Sequence, residues 1–144
     1  SDELARQPGE ICFPGGRREA YDSGPVATAL RETEEETGIS PSLVSPVGII
    51  DPEYAVVSTV RVLPVVALVK GFDPKNLRLS ADEIDDACFI EIEKLPSFPV
   101  SKTVILNGIS HEYPEYRLDN GWLIWGVTAR ILRRFLARLK GGEP

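Results

Sequence analysis

Gly15-Gly16-Arg17-Arg18-Glu19-Ala20-Tyr21-Asp22-Ser23-Gly24-Pro25-Val26-Ala27-Thr28-Ala29-Leu30-Arg31-Glu32-Thr33-Glu34-Glu35-Glu36-Thr37-Gly38-Ile39 runs from a glycine turn into a helix that carries four glutamates. Its limits are marked: Ser23 or Gly24 as cap, Pro25 as first helical residue and Gly38 just past the last turn. On that helix Glu32, Glu35 and Glu36 stand at i, i+3 and i+4, so three carboxylates share a face and Glu34 points elsewhere. Val26, Ala29, Leu30, Thr33 and Thr37 form the opposing stripe, expected to pack on a core while the glutamates stay accessible. Arg31, four residues before Glu35, is placed to hold that carboxylate by an ion pair.

Like charges at this spacing repel, and a divalent cation offsets the repulsion. Mg²⁺ or Mn²⁺ accepts hard oxygen ligands and typically shares them with phosphate oxygens, so Glu32, Glu35 and Glu36 are the expected metal ligands. A solvated acidic face is the competing reading of any run of glutamates.

The segment Arg31-Glu32-Thr33-Glu34-Glu35-Glu36-Thr37-Gly38-Ile39 resembles the second half of the Nudix box, G-x5-E-x7-R-E-U-x-E-E-x-G-U, with U aliphatic. The chain departs from the pattern in three places. Asp22 stands where the family has Glu, eight residues rather than seven separate it from Arg31, and Thr33 replaces the aliphatic residue. The Asp and the extra residue are similar to one branch, the coenzyme A diphosphatases. So is the upstream Pro8-Gly9-Glu10-Ile11-Cys12-Phe13-Pro14-Gly15-Gly16, although Ala5 occupies that branch's arginine position and Arg6 is its neighbour. Val62 to Val66 and Trp125 to Ala129 also resemble stretches of that branch.

The resemblance implies an α/β fold, a Nudix-type α/β/α sandwich with a mixed β-sheet between helices. It also implies a single domain over residues 1–144, with a strand pair expected before the point where the chain opens. It implies hydrolysis of the diphosphate linkage of coenzyme A or its thioesters, giving 3′,5′-ADP and 4′-phosphopantetheine or its acyl form. Glu35 and then Glu83 are the candidate general bases; Glu83, with Asp82 second, is the further carboxylate expected near the metal; Arg31 orients, and Arg6, Gly15 and Gly16 meet substrate. The box contacts only a shared diphosphate, so ADP-ribose, NADH or a dinucleotide is an alternative substrate. A non-catalytic nucleotide-binding module is another alternative, and an acidic calcium-binding or interaction domain is a third.

Composition bounds the partners. The 144 residues carry 16 basic and 22 acidic side chains, a net charge of −6, which argues against binding a nucleic-acid backbone by counterion release. A small-molecule nucleoside diphosphate suits this charge if metal and Arg6, Arg17 and Arg18 offset the repulsion locally. Only Cys12 and Cys88 are present, too sparse for a disulfide framework, so a reducing compartment is expected, cytoplasmic or within an organelle. No apolar run has the ~20 residues needed to cross a bilayer, so no membrane role is expected, and oligomeric state is not readable.

Further along, strands are expected at Pro46–Ile50, Val56–Lys70 with an edge position or bulge at Pro64, and Ala87–Ile92. Asp119-Asn120-Gly121 signals a hairpin between His111–Leu118 and Trp122–Trp125, with the lone His111 read as a loop residue. Val127, Ile131, Leu132, Phe135, Leu136 and Leu139 stripe a closing helix whose basic face is expected to be solvated.

Overall fold

Pro25 and Gly38 bracket the first helix as the sequence requires: α1 spans Pro25–Thr37, with Pro25 in its first turn and Gly38 in the left-handed region at φ 78°. A side chain at Gly38 would be strained there, and its Cβ would also meet Arg78 Cβ at 3.1 Å. The N-cap is Gly24, which offers no side chain, and Ser23 does not substitute for it. The expected exposure of α1 holds only in part, with Glu35 exposed but Glu32 and Glu36 buried. Thr28, Glu32 and Glu36 are its buried residues, whereas Val26, Ala29 and Leu30 are only half-buried. The polar face can be buried because it meets hydrogen-bond donors rather than hydrocarbon.

The computed structural model describes residues 10–54, 60–96 and 99–141. They group into two units, one formed by Phe13–Asp51 and Leu63–Phe89, the other by the described residues of Leu4–Cys12, Pro52–Val62 and Ile90–Pro144. All described ladders are antiparallel, and the described residues combine two α-helices with short antiparallel sheets in the α/β class.

In the first unit a helical turn at Pro41–Leu43 leads from α1 to β1, Val44–Ile49. β1 pairs with a strand at Val65–Val69, and the ladder is interrupted between Pro46 and Gly48, where Val47 is the extra residue of a bulge. The expected strand Val56–Lys70 is thus two pieces: Arg61–Val62 and Val65–Val69, split at Leu63-Pro64, with residues 55–59 outside the described set. Pro64 has no N–H to give a ladder, but its carbonyl accepts from Ile50 N at 3.0 Å. Numbered in chain order, Glu53–Tyr54 is β2, Arg61–Val62 is β3 and Val65–Val69 is β4.

After β4 the chain returns to the end of α1. Arg78 N donates to Thr37 O at 2.9 Å and Ser80 N to Glu36 O at 3.1 Å, so two of the last carbonyls of α1 are satisfied by this loop. Ser80 O in turn accepts from Glu83 N and Ile84 N, which folds the acidic stretch into a turn. The strand expected at Ala87–Ile92 is not formed. That stretch has no ladder partner among the described residues, Phe89 is 61% exposed, and Ile92 opens a helical turn, Ile92–Lys94.

The second unit is built on two hairpins. β5, Val100–Leu106, and β6, Ile109–Arg117, pair in unbroken register from Val100↔Glu115 to Leu106↔Ile109. Asn107 (φ 53°) and Gly108 (φ 75°) make their turn; β5 and this turn are not among the expected elements, although Asn-Gly is the strongest short hairpin signal. His111 lies on β6 opposite Val104, so it is a strand residue rather than a loop residue. The Asp119-Asn120-Gly121 turn then joins β6 to β7, Leu123–Ile124, closed by Leu118 N to Trp122 O at 2.8 Å.

Against these strands packs α2, Gly126–Leu139. Tyr116, Ile124, Ala129, Leu132 and Leu136 form the buried core, with Ile11, Ile90, Leu95, Leu118 and Phe135 around it. Each large apolar side chain contributes about 1.5–3 kcal/mol by leaving water. Two corrections concern this helix: Leu139 is exposed, and the basic face is not simply solvated. Arg130 and Arg134 both hold Glu53 of β2, at 3.1 and 3.0 Å.

Candidate metal centre

Glu36 has no exposed surface, and its Oε1 accepts the Gly15 N–H at 2.9 Å. One turn earlier Glu32 is 4% exposed and faces Gly16 so closely that a Cβ there would stand 2.5 Å from the Glu32 carboxylate. The two glycines thus have distinct uses: Gly15 supplies a donor and Gly16 supplies room. Opposite them the turn after Ser80 presents Glu83, and one carboxylate oxygen from each of Glu32, Glu36 and Glu83 lies within 4.8 Å of the others.

Glu32 is divided between two environments. Its Oε1 accepts from Arg31 Nη1 at 3.1 Å, while its Oε2 is buried with no hydrogen-bond partner. An unpaired buried carboxylate oxygen is costly, and burial accordingly pushes the pKa of the Glu32 carboxyl up despite the pull of Arg31. An all-oxygen donor set with an orphaned oxygen, seated where Gly16 carries no Cβ to displace the Glu32 carboxylate, fits a hard divalent cation.

Arg31 organises the other side of the site, and all five of its N–H directions are used. Nε and Nη2 grip Asp22 as a fork, both at 2.9 Å, and Nη2 also reaches Arg17 O at 3.0 Å. Nη1 is shared between Glu32 Oε1 and the two oxygens of Glu35, each of the latter at 3.3 Å. The Tyr21 ring lies over the guanidinium with its centroid 5.4 Å away. Asp22 also accepts from Glu19 N at 2.8 Å and Thr28 Oγ1 at 2.9 Å. Bonding to Arg31 first, and to Glu19 N next, holds Asp22 far below the usual carboxylate range; bonding to Asp22 holds Arg31 above its own.

Of the residues singled out from sequence, the geometry gathers Glu32, Glu36 and Glu83 with Gly15 and Gly16, and it ties Glu35 to Arg31. The Glu35 side chain is 54% exposed and is not in the three-carboxylate group. Asp82 is exposed beside Glu83, and Arg6 lies outside the described residues. Asp22 and Thr28 have no role in the sequence reading. The nine-residue step from Asp22 to Arg31 matches no helical spacing, and only the box's own acidic position points to Asp22.

The depressed Asp22 carboxyl gives a pH dependence whose sign is fixed. Its folded pKa lies below its unfolded value, so its contribution to stability is full above pH ~4 and is lost as pH falls through the folded value. Melting temperature measured from pH 7 to pH 2 is expected to fall steeply below pH ~4. Asp22→Asn is expected to be less stable at pH 7 and to show a shallower acid limb; identical acid limbs would refute the assignment.

The NUDIX domain model matches residues 3–107. The chain is 36% identical over 140 residues to the peroxisomal coenzyme A diphosphatase NUDT7 of Mus musculus, a match covering 91% of this chain and 57% of that protein. It is 35% identical over 140 residues to Nudix hydrolase 22, chloroplastic, of Arabidopsis thaliana (93% and 46%). It is 34% identical over 142 residues to the uncharacterized Nudix hydrolase NudL of Yersinia enterocolitica (93% and 68%). The chain therefore spans about half the length of the first two relatives. No helix among the described residues is long and apolar enough to cross a membrane.

Proposed function

We propose, from the premise that this chain belongs to the Nudix domain family, that it hydrolyses the diphosphate linkage of coenzyme A or a coenzyme A thioester. The carrying observation is the orphaned Glu32 Oε2 set among the Glu36 and Glu83 carboxylates, on the box of a chain similar to a coenzyme A diphosphatase. Nudix hydrolases depend on a divalent metal, and Mg²⁺ or Mn²⁺ is the ion proposed here. Glu32 and Glu36 would hold it with Glu83, and Glu35 completes the set proposed from sequence. When bound, such an ion supplies Lewis acidity toward phosphoryl oxygens and lowers the pKa of a coordinated water.

The chain's own residues do the rest. Arg31 fixes Glu32 and Glu35 from one guanidinium, so both carboxylates keep a set orientation. Glu35, exposed and outside the three-carboxylate group, is the proposed acceptor for the proton of the attacking water, with Glu83 as the second candidate. Water oxygen bonds to one phosphorus, the bridging P–O bond breaks, and the bridging oxygen leaves with the other phosphate. Gly15 and Gly16 let substrate approach the helix, and Arg6 is the proposed further phosphate contact.

The chain is proposed to act as one Nudix domain on a small molecule. A reducing compartment belongs to the same reading, since Cys12 and Cys88 are both thiols. The deciding experiment compares kcat/KM with Mg²⁺ for coenzyme A, acetyl-coenzyme A, ADP-ribose, NADH and diadenosine polyphosphates. A coenzyme A compound is expected to lead the panel. ADP-ribose ahead by a wide margin would reject the substrate and leave the metal site standing.

A further inference from the structure

Thr28 is buried in the first turn of α1, where the N-cap residue Gly24 supplies no side chain. Its hydroxyl has one proton and two acceptors in range, Asp22 Oδ2 at 2.9 Å and Gly24 O at 3.2 Å. The Gly24 carbonyl already accepts the Thr28 N–H at 3.1 Å. The carboxylate is nearer and charged, so it takes the hydroxyl proton.

Asp22 is shorter by one methylene than the Glu found at this position in the box, and its carboxylate needs other support to meet Arg31 squarely. Two donors give it that support: the Glu19 N–H and the Thr28 hydroxyl, both on Oδ2. With its rotamer fixed, Asp22 receives the Nε and Nη2 edge of Arg31. That docking aims Nη1 at Glu32 Oε1 and leaves Oε2 without a partner. The chain of contacts runs Thr28, Asp22, Arg31, Glu32, and each member other than Arg31 is buried.

We propose that Thr28 is a positioning residue for the metal centre: its hydroxyl locks Asp22, Asp22 locks Arg31, and Arg31 decides which oxygen of Glu32 is offered to the cation. This rests on the reading of Glu32 and Glu36 as metal ligands. Thr28 would act only through Asp22 and Arg31, since its hydroxyl is bonded to Asp22 Oδ2 and Gly24 O.

The test uses Mn²⁺ alone as probe, with binding to the intact chain measured by calorimetry and by electron paramagnetic resonance, beside thermal melts. Thr28→Val keeps the shape and removes the hydroxyl; Thr28→Ser keeps the hydroxyl and removes the methyl. Thr28→Val is expected to weaken Mn²⁺ binding about tenfold, the lower end for residues that orient metal ligands, with Thr28→Ser within about twofold of the unsubstituted chain. Thr28→Ala, which also lacks the hydroxyl and favours helix, carries the comparison should the valine variant fail to fold. A hydroxyl-free variant that melts earlier yet binds Mn²⁺ as tightly as the parent overturns the proposal, as does equal weakening in the serine variant. An unsubstituted chain that takes up no Mn²⁺ overturns the metal site and this inference together.

Discussion

Glu36→Gln is expected to lower Mg²⁺-dependent turnover by about a thousandfold or more and to leave the fold intact. Glu36 is fully buried, and its Oε1 accepts the Gly15 N–H. A glutamine keeps that bond through its amide oxygen, so the turn and helix retain their link. The negative charge is what disappears. A metal ligand stabilises transition-state charge by several kcal/mol, and each ~1.4 kcal/mol is tenfold in rate, which sets the expected size. Steady-state kinetics beside a thermal melt check it. A variant that turns over near the parent rate removes Glu36 from the chemistry; one that melts far earlier shows that the charge serves the fold instead.

Gly16→Ala is expected to separate the two roles from the other side. The added Cβ would stand 2.5 Å from Cδ and Oε1 of Glu32, nearer than real atoms approach. Gly16 is not among the glycines at positive φ, so alanine suits its backbone and even removes a little entropy from the unfolded chain. The strain therefore falls on the Glu32 carboxylate. That group moves easily at its far end, but it leaves the position set by Arg31 when it does. A displacement of about 1 Å at a reacting site can cost about a hundredfold, and that is the expected loss in kcat/KM, with stability within about 1 kcal/mol of the parent by urea titration. Full activity in this variant would mean that Glu32 can be moved without consequence.

Both expectations come from contacts that the sequence shows unevenly. Pro25 and Gly38 set the ends of α1 because each has a backbone reason to be there, and that reason is local. The Asp119-Asn120-Gly121 hairpin is readable on the same ground. Asn107-Gly108 carries an equal signal that goes unassigned. Ala87–Ile92 has apolar residues with a strand-like pattern, yet a strand exists only where another offers its edge, and residue order does not say which edge is near. The helix face shows the same limit. Spacing groups Glu32, Glu35 and Glu36, but it does not say that Glu32 and Glu36 turn inward toward Gly15, Gly16 and Glu83 while Glu35 stays outward with Arg31. Glu83 is suggested by its position in a later acidic turn. Asp22 is legible only as the box's acidic position, and Thr28 only once its hydroxyl is seen to meet Asp22.

The polar burial along α1 has one more consequence. A helix seated on hydrocarbon can roll by some degrees and slide slightly, since apolar contact has no preferred direction. A helix seated through Asp22, Gly15 and the Arg31 fork has a single angular setting, because short directional bonds on several sides would stretch together under any roll. The rotational phase of α1 is therefore indexed by its polar residues, as a key indexes a shaft.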